Sequence, residues 1–350
     1  VFSFEQILWL VVALLMALVL LTRSLNRRAE RVVPPLGRFV DLPLARLHLV
    51  DQGPTDGADG PVVILIHGLG GQLRHFSYAL TEYLVPHYRV IAIDRPGSGY
   101  STWRGRFRPS LEMQADVVAS LIDHLQLGRV ILVGHSLGGA VALCTALRYR
   151  DHIAGLALLS PLTHMPERVP PVFLALAIGR DWFRVLLAWT LAVPLGRWQR
   201  SRFLKKIFEP DSVPADFGTR AGGELALRPG HFLAATRDLA AIPQSLSAMS
   251  LQYGALGGDQ PIPVSLLYGR QDRVLSADLQ GAHFVSRLPH AKLVQIDAGH
   301  MLPIVQPQAC ASLIRHCAAL TGSERHNYNQ KADCSGDALT ARSIKTDGAI

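Results

Sequence analysis

The decisive stretch runs Val130-Ile131-Leu132-Val133-Gly134-His135-Ser136-Leu137-Gly138-Gly139. Its four leading residues, apolar and mostly β-branched, predict a buried strand, and residues 140–149 predict a helix. Between them lies a G-x-S-x-G pattern. Strand, sharp turn and helix is the setting in which that pattern lifts a serine hydroxyl onto a strained turn at the top of a sheet. Glycines two before and two after the serine let the chain pass close to its neighbours without Cβ atoms in the way. The pentapeptide alone is weak evidence, so its flanks and its distant partners have to decide.

Outward from this stretch the chain alternates. A continuous apolar run at residues 62–66 and further strand-like segments at 89–93, 153–159, 264–268 and 292–296 predict strands. Helical segments are expected over 72–84, 110–125, 276–288 and 303–320. That rhythm implies an α/β fold whose mostly parallel sheet is flanked by helices on both faces. Residues 38–51 alternate as a β-hairpin would, and a turn-rich loop follows at 53–60. From 161 to 260 the rhythm stops, and apolar helical pieces around 171–195 suggest a helical cap inserted on the rim of the sheet. The expected division is a core in two parts, 38–160 and 261–320, a cap at 161–260, and a polar, disordered tail at 321–350.

The N-terminal end is different in kind. Residues 7–21 carry no charge, and a helix over 2–22 is about 31 Å long, enough to cross a bilayer once. No Lys or Arg precedes this run, whereas Arg23, Arg27, Arg28 and Arg31 follow it. A secretory signal has the opposite charge order and a small-residue cleavage site, so an uncleaved transmembrane anchor at 1–22 is expected, with a linker at 23–37 containing Pro34-Pro35. The arginines place the remainder of the chain on the cytoplasmic side.

The net charge of +8 could serve nucleic acid or an anionic membrane. No recognition-helix, zinc-finger or aromatic-basic pattern accompanies it, which excludes the first. A basic run without acids, Arg197, Arg200, Arg202, Lys205 and Lys206, lies in the cap and reads either as a surface for anionic lipid or as a solvated face. Cys144, Cys310, Cys317 and Cys334 have no C-x-x-C spacing, so neither a disulfide framework nor a metal site is expected. Leu73 stands where a G-x-G-x-x-G after the first buried strand needs its last glycine, and no phosphate-binding loop occurs, so no cofactor is expected.

A serine hydroxyl needs a base beside it, and the base needs an orienting carboxylate. Two strands end in suitable groups: 264–268 leads to Asp272, and 292–296 leads to Asp297 and His300. All lie just beyond the carboxyl ends of strands, where active sites of open α/β sheets gather. Ser136, Asp272 and His300 are therefore the expected nucleophile, acid and base. Asp297 is the rival acid, set aside because it sits only three residues before His300. The oxyanion donors expected are the backbone amides of Leu137, directly after the nucleophile, and Leu69, in the loop after the first buried strand. His67 in that loop is read as structural.

With Asp94-Arg95-Pro96-Gly97-Ser98-Gly99-Tyr100-Ser101, these features make residues 38–320, apart from the insertion, resemble the α/β-hydrolase superfamily. The segment is similar to the D-x-P-G-x-G-x-S stretch of the branch holding epoxide hydrolases, dehalogenases, C–C bond hydrolases, esterases and acylglycerol lipases. Serine rather than aspartate at the elbow sets the first two apart. The resemblance implies a cap over the pocket and, with the anchor, a membrane-bound serine hydrolase of apolar or lipid-like esters, organised like monoacylglycerol lipases. The alternatives are a C–C bond hydrolase or acyltransferase on the same triad, or a ligand-binding receptor or scaffold without turnover.

Overall fold

A computed structural model describes residues 2–54, 60–105, 109–166 and 170–322. Most of the loop expected at 53–60 and nearly all of the tail expected over 321–350 lie outside the described residues.

Helix α1 (Phe4–Val32) is opened by a capping box in which Ser3 and Gln6 satisfy each other's backbone amides. It continues ten residues past the expected end of the anchor, through the arginines. Leu, Asn, Arg, Ala and Glu all tolerate a helix, and Asn26 and Glu30 pair one turn apart. The linker is thus reduced to the residues around Pro34-Pro35.

Strands β1 (Arg38–Asp41) and β2 (Ala45–Gln52) form the expected antiparallel hairpin. Then come β3 (Val63–Ile66), α2 (Arg74–Ser77), β4 (Val90–Ile93), β5 (Thr102–Trp103), α3 (Leu111–His124), β6 (Val130–His135), α4 (Leu137–Arg148) and β7 (Ile153–Leu159). The inserted region supplies α5 (Asp181–Trp189), α6 (Ala192–Phe208) and α7 (Pro229–Ser250). The core resumes with β8 (Val264–Gly269), α8 (His283–Arg287), β9 (Lys292–Ile296), α9 (Leu302–Val305) and α10 (Pro307–Leu320).

Among the described residues the nine strands make one sheet, ordered β1-β2-β4-β3-β6-β7-β8-β9, with β5 on β2. From β4 to β9 every pairing is parallel. Strands β3, β4, β6, β7 and β8 are buried at every position. Their side chains divide by the two-residue period: Ile64, Ile66 and Leu132 enter the core on one face, and Val63, Leu65 and Val133 enter the other. The outer strand β9 is more open and begins with the exposed Lys292, which blunts the edge.

Three expected helices differ. In 72–84, only α2 and a 3-10 turn at Leu80–Tyr83 form, because the Leu73 amide is taken by Asp94 Oδ1 (2.8 Å) and the Arg74 amide by Gln72 Oε1 (2.8 Å). In 276–288, a π turn at Asp278–Ala282 precedes α8 and carries the buried Gln280, whose side chain accepts from the amides of Thr163 and His164 (2.8 and 3.0 Å). In 303–320, Pro307 cannot continue α9 and instead opens α10.

Candidate active site

Ser136 sits between β6 and α4 at φ +54°, ψ −121°, a backbone conformation that side chains rarely adopt. Its amide donates to Leu159 O (3.0 Å), its carbonyl accepts from Leu162 N (3.0 Å), and its hydroxyl makes no capping bond to α4. The pattern's glycines are required sterically. A methyl on Gly134 would strike the Gly138 carbonyl, and one on Gly138 would strike the Ile66 carbonyl.

The structure brings Asp272 and His300 together: Asp272 Oδ2 lies 2.7 Å from His300 Nδ1. Asp272 Oδ1 accepts from the amides of Val274 (2.8 Å) and Leu275 (2.9 Å). Burial pushes this carboxyl up, but the imidazole and the two amides outweigh it and hold Asp272 below the usual carboxylate range. Asp297 is directed elsewhere, to the exposed Arg270 at 2.9 Å. His300 is tied to the residue preceding Ser136, since His135 Nε2 donates to the His300 carbonyl (3.0 Å) and their rings lie 5.0 Å apart. Burial, and then the proximity of His300, depress His135 to about 3, so it stays a neutral donor.

Ser136, Leu137 and Leu69 line one pocket with Leu162, Met165, Phe173, Leu239, Ile242 and Leu275, and no charged side chain lines it among the described residues. The Leu137 amide heads α4, where backbone donors have no intrahelical acceptor. The Leu69 amide is aimed by a contact invisible in the sequence. Arg95, wholly buried, donates through Nε to His67 O (2.9 Å) and through Nη2 to Gly68 O (3.0 Å). The Gly68 carbonyl and the Leu69 N–H belong to one trans peptide and point in opposite directions. Holding the first therefore fixes the second. His67 completes the brace, its Nε2 accepting from the Arg95 amide (2.9 Å) and its Nδ1 donating to Gly68 O (2.9 Å). Burial, and secondarily the Arg95 charge, hold His67 well below its ordinary value.

The far end of Arg95 reaches the inserted region. Its Nη1 donates to Asp238 Oδ2 on α7 (2.8 Å) and to Gln114 Oε1 on α3 (2.7 Å). Burial pushes the Asp238 carboxyl up, opposed by Arg95 and Gln114. Arg95→Met is expected to lower kcat about a hundredfold through a misplaced loop, and to cost about 3–5 kcal/mol because Asp238 is left buried without a counter-charge, bonded only to Gln114 Nε2 (3.2 Å). In Arg95→Met/Asp238→Leu the melting temperature should recover while kcat stays low. Recovery of kcat in that double variant would show that Arg95 serves only the fold.

Asp94, one residue earlier, organises its own loop. Its carboxylate accepts from the amides of Leu73 and Tyr100 (both 2.8 Å) and pairs with His48 Nδ1 (2.7 Å). Gly99, at φ +53°, is packed against that carboxylate where no Cβ fits.

Arg197 and Arg200 do not form a free basic surface. Both pair with Glu224, Arg197 at 2.9 Å. The expected run is thereby reduced to Arg202, Lys205 and Lys206, which are exposed on α6.

A family profile described as alpha/beta hydrolase fold matches residues 61–307. A magnesium-chelatase 30 kDa subunit of Rhodobacter capsulatus is 31% identical over 273 residues, 76% of this chain and 88% of that protein. A lipase of Mycobacterium tuberculosis is 27% identical over 292 residues, 77% of this chain and 96% of that one. Among solved structures, a bacterial membrane phospholipase A superposes with a TM-score of 0.65 at 23% identity, covering 91% of this chain and 97% of its own.

Proposed function

The chain belongs to the α/β-hydrolase family, and from that premise we propose that it is a membrane-anchored serine hydrolase cleaving carboxylic esters of apolar, lipid-like acids. The observation that carries the reading is the buried Asp272–His300 pair at 2.7 Å, whose His300 carbonyl is bonded to His135, the residue before a serine held at positive φ. His300 takes the Ser136 proton as Oγ attacks the ester carbonyl, and Asp272 orients and charge-stabilises the imidazolium. The tetrahedral oxyanion faces the amides of Leu69 and Leu137. His300 then delivers its proton to the departing alkoxide, leaving an acyl ester on Ser136. A water molecule repeats the sequence and releases the acid.

The pocket favours an apolar acyl group, because an anionic one would find no counter-charge in its described lining. The described residues include one helix long and apolar enough to cross a membrane, α1, with a mean hydropathy of 2.5 over its most apolar window. The arginines after its apolar part support a cytoplasmic catalytic domain.

The specificity is tested with p-nitrophenyl esters of increasing acyl length. Burying each added methylene is expected to raise kcat/KM about fourfold until the pocket is filled. A flat profile, or preference for a succinyl half-ester, would overturn an apolar acyl site.

A further inference from the structure

We propose that the outward face of α5 and α6 is embedded in the headgroup region of the bilayer crossed by α1, an inference that rests on reading α1 as an anchor. Helix α5 is amphipathic with its faces reversed. Arg184 and Ala188, one turn apart, point inward, Arg184 Nε donating to Ile178 O (2.7 Å). Trp182, Phe183, Leu186 and Trp189 point outward, Trp182 63% exposed. On α6, Trp198 is 75% exposed. Surface helices in water place the opposite residues outside, and a contiguous apolar patch of this kind marks an interaction surface.

The depth of this face is fixed by its contact with α1. The Thr22 hydroxyl, buried, donates to the carbonyl of Thr190 at the end of α5 (3.3 Å). Thr22 is the last residue before Arg23, so it marks the boundary at which the apolar span gives way to charge. The α5–α6 junction is therefore held at the level of the membrane interface, where tryptophan rings are favoured.

Charge complements an anionic leaflet at the same level. Arg23, Arg27 and Arg31 recur every fourth residue on α1 and line an open groove with Leu20 and Ser24. The one acid in that groove, Glu30, is bound to Arg228 at 3.0 Å. Arg202, Lys205 and Lys206 have no ion-pair partner among the described residues, and α6 contains no acid, which disfavours a second copy of the chain and favours lipid phosphate. Behind α5 packs α7, whose Leu239, Ile242 and Pro243 line the Ser136 pocket, so one helical layer separates bilayer from pocket.

The test uses the full chain in phosphatidylcholine–phosphatidylglycerol vesicles containing lipids brominated near the headgroup end of the acyl chain. Two forms are compared, one retaining only Trp198 and one retaining only Trp9 of α1, the other tryptophans replaced by phenylalanine. Emission from Trp198 is expected to fall about twofold or more, as it does for a ring lying at that boundary. Quenching of Trp9 with Trp198 unaffected overturns the proposal and leaves the anchor standing; a cap face covered by protein gives this result. If neither is quenched, the anchor and the proposal fall together. In Trp182→Ser/Trp198→Ser, hydrolysis of a vesicle-borne monoacylglycerol should drop about tenfold while soluble p-nitrophenyl acetate is cleaved as before. Equal rates on vesicles would also overturn the proposal. Loss of acetate cleavage in the unaltered chain would instead count against the hydrolase reading, because the quenching result is independent of turnover.

Discussion

Ser136→Ala is expected to lower kcat for a p-nitrophenyl ester on the order of 10⁵- to 10⁶-fold while leaving KM and the melting temperature nearly unchanged. The separation of the two effects follows from the geometry. The hydroxyl makes no capping bond, so its removal strands no donor or acceptor within the protein. Alanine carries no greater penalty at φ +54° than serine does, because the clash there arises from Cβ, which both possess. The pocket wall and both oxyanion amides remain, so substrate should still bind and a small residual rate over water should persist. A variant that retains substantial turnover would remove Ser136 from the chemistry. Loss of fold together with activity is checked by circular dichroism and is not expected.

Asp272→Asn is expected to cost about 10⁴-fold in kcat, again with little loss of structure. The amide oxygen of Asn can still accept from Val274 and Leu275, which preserves the loop. Its amide nitrogen, turned toward His300, becomes a donor facing Nδ1. The imidazole must then carry its proton on Nε2, the nitrogen required to receive the serine proton, and no negative charge remains to stabilise the imidazolium. Asp297→Asn is the matched comparison. Asp297 pairs with Arg270 on the surface, so its substitution should change kcat by less than about twofold, as exposed ion pairs contribute little. If the two variants exchanged these outcomes, the acid would be assigned to the wrong carboxylate.

Much of this arrangement was legible in one dimension for a physical reason. Strands buried on both faces must be largely apolar, so 62–66, 130–133, 153–159 and 264–268 declared themselves, and the residues beyond the carboxyl ends of two of them were the natural place to look for Ser136 and Asp272; His300 follows the more open edge strand at 292–296. Which carboxylate faces the imidazole was harder. Asp297 is nearer in sequence, and only the fold reveals that it turns to Arg270 while Asp272 turns inward.

Arg95 escaped because its meaning depends on Asp238, 143 residues away, and on two carbonyls that carry no sequence signal. A charged pair, Asp94-Arg95, directly after the fully buried β4 was the available hint. The basic run was legible only in part for a related reason: the acid that neutralises Arg197 and Arg200, Glu224, lies outside the run and reaches them only after folding. Helix boundaries failed where tertiary partners competed for backbone or side-chain groups, as at Leu73 with Asp94 and at Gln280 with Thr163.

Activation of Ser136 by an imidazole is tested most directly by labelling the purified protein with a fluorophosphonate and mapping the adduct by peptide mass spectrometry. A single adduct is expected on Ser136, absent in Ser136→Ala and formed far more slowly in His300→Ala. An intact protein that binds an ester yet leaves Ser136 unlabelled, or that is labelled equally fast without His300, would contradict it.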